Sequence, residues 1–163
     1  MLNKRQFLEE VIRVALGYLD PDIPNTVAAE QLLIGTALQE SGLVHLRQLR
    51  QGPALGLFQM EPATHEDIYE SFLAYQPRLR VKLQRSFDCQ PETMITDLLY
   101  ATCMARVHYW RVSDPLPPEG NFAAQAQYWK DHYNTHLGHG TVKQYLRAWH
   151  KARSARLWPR VQS

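Results

Sequence analysis

The sequence predicts an all-α fold, with at most a small irregular hairpin near residues 43–60. Three observations carry this. Apolar residues recur at helical spacing in one run after another. No stretch shows convincing period-two alternation. Proline, glycine and short polar residues punctuate the runs where helices should begin and stop.

In the first run Phe7, Leu8, Val11, Ile12, Ala15 and Leu19 share a helical face, Asn3 is a suitable N-cap, and Pro21 and Pro24 end the helix. Asn25 or Thr26 can cap a second helix from about Val27 to Ser41, stopped by Gly42. The loop 43–55 carries His45, Arg47 and Arg50 and then the turn residues Gly52-Pro53. Pro62 suits the N1 position of a third helix through Ile68, Phe72 and Leu73. Pro77 opens a short cationic helix through Val81 and Leu83. Pro91-Glu92 opens a long one with an apolar face from Ile95 to Tyr109. The run Asp114–Gly120, with three prolines, is the clearest break in the chain. Phe122 to Leu137 reads as a helix, Gly138-His139-Gly140 as a turn, and Thr141 as the cap of a last helix. No repeat or low-complexity tract interrupts this order. We therefore expect one domain over 1–163, with a basic helix and tail from about residue 141.

The chain has 163 residues, of which 45% are apolar and 21% charged, enough to bury a real core in a soluble globular protein. A net charge of +2 does not by itself point to a nucleic-acid partner. The two cysteines, Cys89 and Cys103, make no metal-ligand pattern and read as free thiols of a reducing compartment. Glu9, Glu10 and Arg13 interrupt the N-terminal apolar run, so it is neither a signal h-region nor a membrane span. The expectation is a chain made in a cytoplasm, which acts outside only if something other than its own leader carries it there.

The stretch Gly35–Thr64 holds two residues that local structure does not favour. Glu40 falls at the C-terminal end of a helix, where unsatisfied carbonyls disfavour a carboxylate. Gln59 is an amide inside the apolar run Gly56-Leu57-Phe58-Gln59-Met60, and a buried amide needs partners. A lone glutamate is usually a solvated surface group. Here the approach to Glu40 is apolar, and burial together with the helix end would raise its pKa into the range of a general acid.

Glu40-Ser41, a glycine-bearing loop, Gly56-Leu57-Phe58-Gln59 and Pro62-Ala63-Thr64 together resemble the lytic transglycosylase and goose-type lysozyme families of peptidoglycan-cleaving enzymes. Tyr133-Asn134, followed by Gly138, Gly140 and Tyr145-Leu146, resembles the families' Tyr-Asn-Ala-Gly motif and the helix after it. Leu98–Val112 falls where they place a central helix. The resemblance spans roughly Val27 to Trp149. It implies a lysozyme-like helical domain, all-α or α+β at most, that cleaves the β-1,4 bond between N-acetylmuramic acid and N-acetylglucosamine. It implies Glu40 as the acid/base, and Ser41, Gln59, Met60, Tyr133 and Asn134 as substrate-binding residues. Two departures bear on substrate contacts. Tyr-Asn-Ala-Gly has become Tyr133-Asn134-Thr135-His136, and Arg50 stands where a loop serine is common.

Glu61 and His65 match positions where goose-type lysozymes carry an acid and a histidine. They suggest either a second carboxylate oriented by an imidazole, able to hold a water, or a plain N-terminal acid of the helix at Pro62. The plain alternative, in which Glu61 caps that helix, is the expectation. The single-acid route of a transglycosylase then follows, with no metal or cofactor. His132, His136 and His139 have spacings that can hold a metal, but no Glu or Cys completes the set. His108 and His150 read as satisfied or surface histidines. Lys143, Arg147 and Lys151 share one face of the last helix, with Trp149 and Trp158 nearby. That face is a solvated surface by default, or a contact to the anionic cell envelope. No nucleic-acid module is recognisable. The expected partners are peptidoglycan glycan strands, with other phage tail or virion proteins as a second class. Small size, the missing leader and the lack of wall-binding repeats suit a bacteriophage product, either an endolysin or a virion component. The rival from another class is a virion structural protein that keeps a lysozyme-like fold for assembly.

Overall fold

Most helices start where a short polar side chain or a proline allows it. The computed structural model describes residues 1–134 and 137–158. Asn3 Oδ1 accepts from the amides of Arg5 and Gln6 and starts α1, residues 4–19, whose turns widen over Phe7–Ile12. Thr26 caps α2 (Val27–Glu40) by accepting from the Ala29 amide. Prolines occupy the N1 positions of α3 (Pro62–Ser71) and α4 (Pro77–Ser86). The one-turn α5 (Thr93–Thr96) leads into α6 (Leu98–Trp110), capped by Asp97. Asn121 caps α7 (Phe122–Trp129), which runs on as a widened π turn over Lys130–Asn134. Thr141 and Gln144 form a capping box at the start of α8 (Val142–Lys151).

Three boundaries differ from expectation. The long helix expected from Pro91 is broken at Asp97, whose backbone is extended and whose carboxylate takes the Tyr100 amide. An N-cap bond satisfies a helix-end donor that a continuous helix would not leave open. The third helix stops at Ser71, before Phe72 and Leu73. The helix expected to reach Leu137 leaves α geometry at Lys130, and residues 135 and 136 of that expectation lie outside the described residues.

The core is built on two helices buried around most of their circumference. On α2 every residue from Ala29 to Leu38 is buried, and on α6 every residue from Tyr100 to Tyr109. Such helices belong at the centre of a bundle. The two meet through a hydroxyl pair, Thr36 and Tyr109, at 2.7 Å. α8 packs on α2 at Gly35, where the absence of a Cβ admits the Tyr145 ring. α1 packs on α6, and Phe7 reaches Phe58 with ring centroids 6.1 Å apart. Glu30, buried in α2, is held by Arg13 through two bonds (3.0 and 3.2 Å) and by Trp158 Nε1 at 2.7 Å. The all-α expectation holds. The expected hairpin reduces to isolated bridges, Arg47 with Leu55 and Leu55 with Met60.

Gly56 is fixed twice over. Its φ is +73°, and a Cβ there would run into the main-chain oxygen of Met94. Gly17, in contrast, is exposed within α1 with open space around it. Gly56→Ala should destabilise the fold by about 1–3 kcal/mol, because backbone and φ must both give way. Gly17→Ala should stabilise it by roughly 0.5–1 kcal/mol. Urea midpoints of the two variants check both signs.

Candidate active site

A cleft of about 900 Å³ runs between the C-terminal end of α2, the loop 45–61, α6 and the widened turn after α7. Glu40, the last residue of α2, lines it. Among the described residues the carboxylate accepts one hydrogen bond, from the indole Nε1 of Trp129 at 2.8 Å. Two effects oppose each other at this carboxyl. Burial penalises the charged form, and the indole donor favours it. Burial is the larger, and it raises the Glu40 pKa from 4.5 to about 7. At neutral pH the neutral acid is therefore populated beside the carboxylate, facing the cleft.

The loop residues are held by their own backbone. The Leu55 and Met60 amides each donate to the other's carbonyl (2.9 and 3.1 Å), closing a tight turn over Gly56–Gln59. Gln59 is forced to φ +47° within it, a region that non-glycine residues rarely occupy. Its side-chain amide donates to the Gly56 carbonyl at 2.8 Å. Gln59 thus meets the cleft in one orientation, and Met60, nearly fully buried, forms part of the floor.

Across from the loop, Tyr133 donates its hydroxyl to the Phe58 carbonyl at 2.7 Å and so ties the widened turn to the loop. Burial, reinforced by the charge of Glu40, holds the Tyr133 phenol in its protonated form. Asn134 lines the cleft, and Lys130 Nζ donates to its Oδ1 at 2.7 Å. A Cβ on Gly138 or Gly140 would strike Asn134, and one on Gly140 also the Trp129 ring, so both glycines permit close packing.

The structure brings Glu40, Gln59, Met60, Tyr133 and Asn134 to one cleft, and Glu61 with them. It does not bring Ser41. Ser41 is buried, with its hydroxyl donating to the Ala37 carbonyl (3.1 Å) and accepting the Leu43 amide (3.2 Å). Its work is to end α2 rather than to touch a ligand. Glu61 stands at the N-cap position of α3 but makes no side-chain capping bond, contrary to expectation. Nor is it joined to His65, which is 3% exposed and turned into the core with Nε2 2.6 Å from the Tyr100 hydroxyl. Burial lowers the His65 pKa to about 4, so it stays neutral there. Arg50 is exposed and absent from the cleft wall.

Sequence reasoning missed two residues. Trp129 lies one turn before Tyr133, and that spacing on a cleft-facing helix was the available signal. His108, expected to be satisfied or superficial, is 8% exposed, lines the cleft, and packs edge-on against Tyr133 at 4.9 Å. Its Nδ1 is sealed without a partner. Burial first, then Arg111, lowers its pKa to about 3, so it faces the cleft as a neutral imidazole.

No group of three or more His, Cys, Asp or Glu among the described residues is placed to hold a metal. His132 Nε2 lies 3.4 Å from Asp114 Oδ2, His139 is on the cleft wall, and His136 lies outside the described residues. Both cysteines are free. No described helix is long and apolar enough to cross a membrane.

Trp129→Phe removes the only donor on the Glu40 carboxylate among the described residues. The Glu40 titration midpoint should then move upward from about 7, because only the burial effect remains. Carbon-13 carboxyl NMR reads it directly; an unchanged or lower midpoint contradicts the balance described for this carboxyl.

No family model matches the chain, and no curated protein or solved structure matches it.

Proposed function

We propose that this protein is a peptidoglycan lytic transglycosylase with Glu40 as its single acid/base. The observation that carries the reading is the cleft-facing carboxyl of Glu40, raised to about 7 by burial and oriented by one indole donor. A carboxyl with this pKa holds a proton to give at neutral pH and can take one back as a base. Glu40 protonates the glycosidic oxygen as the bond to the anomeric carbon breaks. The resulting carboxylate accepts the proton of the muramyl 6-hydroxyl as that oxygen bonds to the same carbon, giving a 1,6-anhydro sugar. Gln59, Tyr133 and Asn134 supply fixed polar atoms along the cleft for the N-acetyl sugars. A cleft of about 900 Å³ is of a size to take sugar units. The exposed Lys143, Arg147 and Lys151 on α8 fit contact with an anionic envelope. Trp149 and Trp158 do not join that face. Trp149 is buried, and Trp158 stacks on it while donating to Glu30.

Glu61 favours a second reading. Its carboxylate makes no capping bond and lines the same cleft as Glu40, which leaves it available to hold a water as in a goose-type hydrolase.

Glu40→Gln tests the first reading. The amide keeps an oxygen for Trp129 Nε1, and lytic activity should fall about 10²–10⁴-fold. Stability should change in the opposite direction. Because the folded pKa is raised, the wild-type contribution is intact below pH 4.5 and is lost as pH rises towards 7. Above that range the Gln variant should be more stable, by on the order of 2–3 kcal/mol. Near wild-type lysis by the folded variant overturns the assignment. Glu61→Gln separates the two reactions: a transglycosylase should keep most of its activity, whereas a hydrolase that needs Glu61 should lose it while remaining folded.

A further inference from the structure

Arg106 is the least compensated charge in the core. It is 3% exposed, and its Nε and Nη1 are sealed from solvent with no acceptor. Among the described residues it makes no ion pair and no hydrogen bond; its guanidinium carbon lies 5.5 Å from the Trp110 ring centroid. Burial lowers its pKa from 12.5 to about 10, with Tyr128 opposing, so it is a cation at neutral pH. A cation–π contact recovers part of the lost hydration, and so does a position in the last turns of α6, near that helix's negative end. Neither replaces hydrogen-bond acceptors. A buried charge with unfilled donors is costly, and such groups are normally paired.

The remaining guanidinium nitrogen, Nη2, is not sealed, and Arg106 stands on the wall of a pocket of about 230 Å³. Arg106 and His108 are two residues apart on a helix, about 200° around its axis, so this pocket opens on a different face of α6 from the cleft. Its other walls are mostly apolar and include Tyr109, Trp110, Pro115, Leu116 and Tyr128, with Ser113 as a polar member. The Tyr128 hydroxyl donates to the Asp114 carbonyl at 2.9 Å and so pins the loop that forms the rim. The Asp114 carboxylate, also on the rim, lies 3.4 Å from His132 Nε2 and is 70% exposed.

We propose that this pocket binds a carboxylate carried on a compact apolar body about one residue in size, the carboxylate pairing with Arg106. The volume admits a single side chain or small acid and excludes a disaccharide. Aromatic and aliphatic walls select an apolar body. One cation, with Asp114 on the rim, compensates a monoanion but not a phosphate dianion. A free branched-chain acid and the C-terminus of a peptide ending in leucine both carry this chemistry. The site is independent of the Glu40 cleft, and its test needs no lytic activity.

The full chain is titrated with four probes: 4-methylpentanoate, an acetylated tripeptide ending in leucine, the same tripeptide amidated, and inorganic phosphate. At ten times a Kd of about 1 mM, a carboxylate probe should raise the melting temperature by about 3–5 °C and shift the Arg106 Nε resonance. The amide and phosphate should do neither. The tighter of the two carboxylates identifies the source. Arg106→Met should melt higher than the unliganded wild type, since it removes an uncompensated charge, and should not respond to either carboxylate. The proposal is overturned if neither carboxylate moves the Arg106 resonance, if the amidated peptide acts as strongly as the free acid, or if Arg106→Met responds like the wild type.

Discussion

One proton at Glu40 is governed by two opposed effects, and the architecture around the cleft exists to keep them in balance. Burial at the end of α2 favours the neutral acid, and the Trp129 indole favours the anion; burial prevails and leaves the pKa at about 7. The burial follows from α2 being enclosed over most of its length, which in turn needs Gly35 to admit Tyr145. The indole is in place because Gly140 lets the chain pass close to its ring and because α7 packs against α8. Loosening any of these contacts would admit water and return the carboxyl towards its ordinary range.

The same logic runs through the rest of the cleft. Gln59 is held at positive φ, His108 keeps a sealed nitrogen without a partner, and Glu40 is ionised only against the cost of burial. Each is a local destabilisation, and they gather at one place. Functional sites commonly hold strain that the surrounding structure stabilises. Here the surroundings are the Thr36–Tyr109 hydroxyl pair, the Arg13–Glu30–Trp158 cluster and the Tyr133 bond to Phe58.

Much of the helical order was legible because it depends on local chemistry. Asn3, Thr26 and Thr141 cap the helices they precede, and Pro62 and Pro77 open theirs. The break at Asp97 was legible too in principle, since an aspartate before Leu98-Leu99-Tyr100 is an N-cap signal, but the apolar periodicity on either side concealed it. Side-chain direction was less accessible. Ser41, His65 and Glu61 sit at positions that match a catalytic pattern in the chain, yet Ser41 ends a helix and His65 binds Tyr100 in the core. Glu61 faces the cleft when a cap was expected. Trp129 and His108 were hidden for the opposite reason. Their roles come from contacts across 89 residues in one case and from burial on α6 in the other; the one-turn spacing of Trp129 from Tyr133 is a faint local mark, and His108 leaves none.

The central claim is that a single half-buried carboxyl cleaves a glycan using the substrate's own hydroxyl as nucleophile. The most direct measurement is mass analysis of the sugar ends left when the purified protein digests isolated peptidoglycan. The account predicts 1,6-anhydromuramyl ends, one water lighter than reducing ends. Reducing ends would contradict the single-acid route and make Glu61 the partner of Glu40, whereas intact glycan strands in the presence of folded protein would contradict the enzymatic reading altogether.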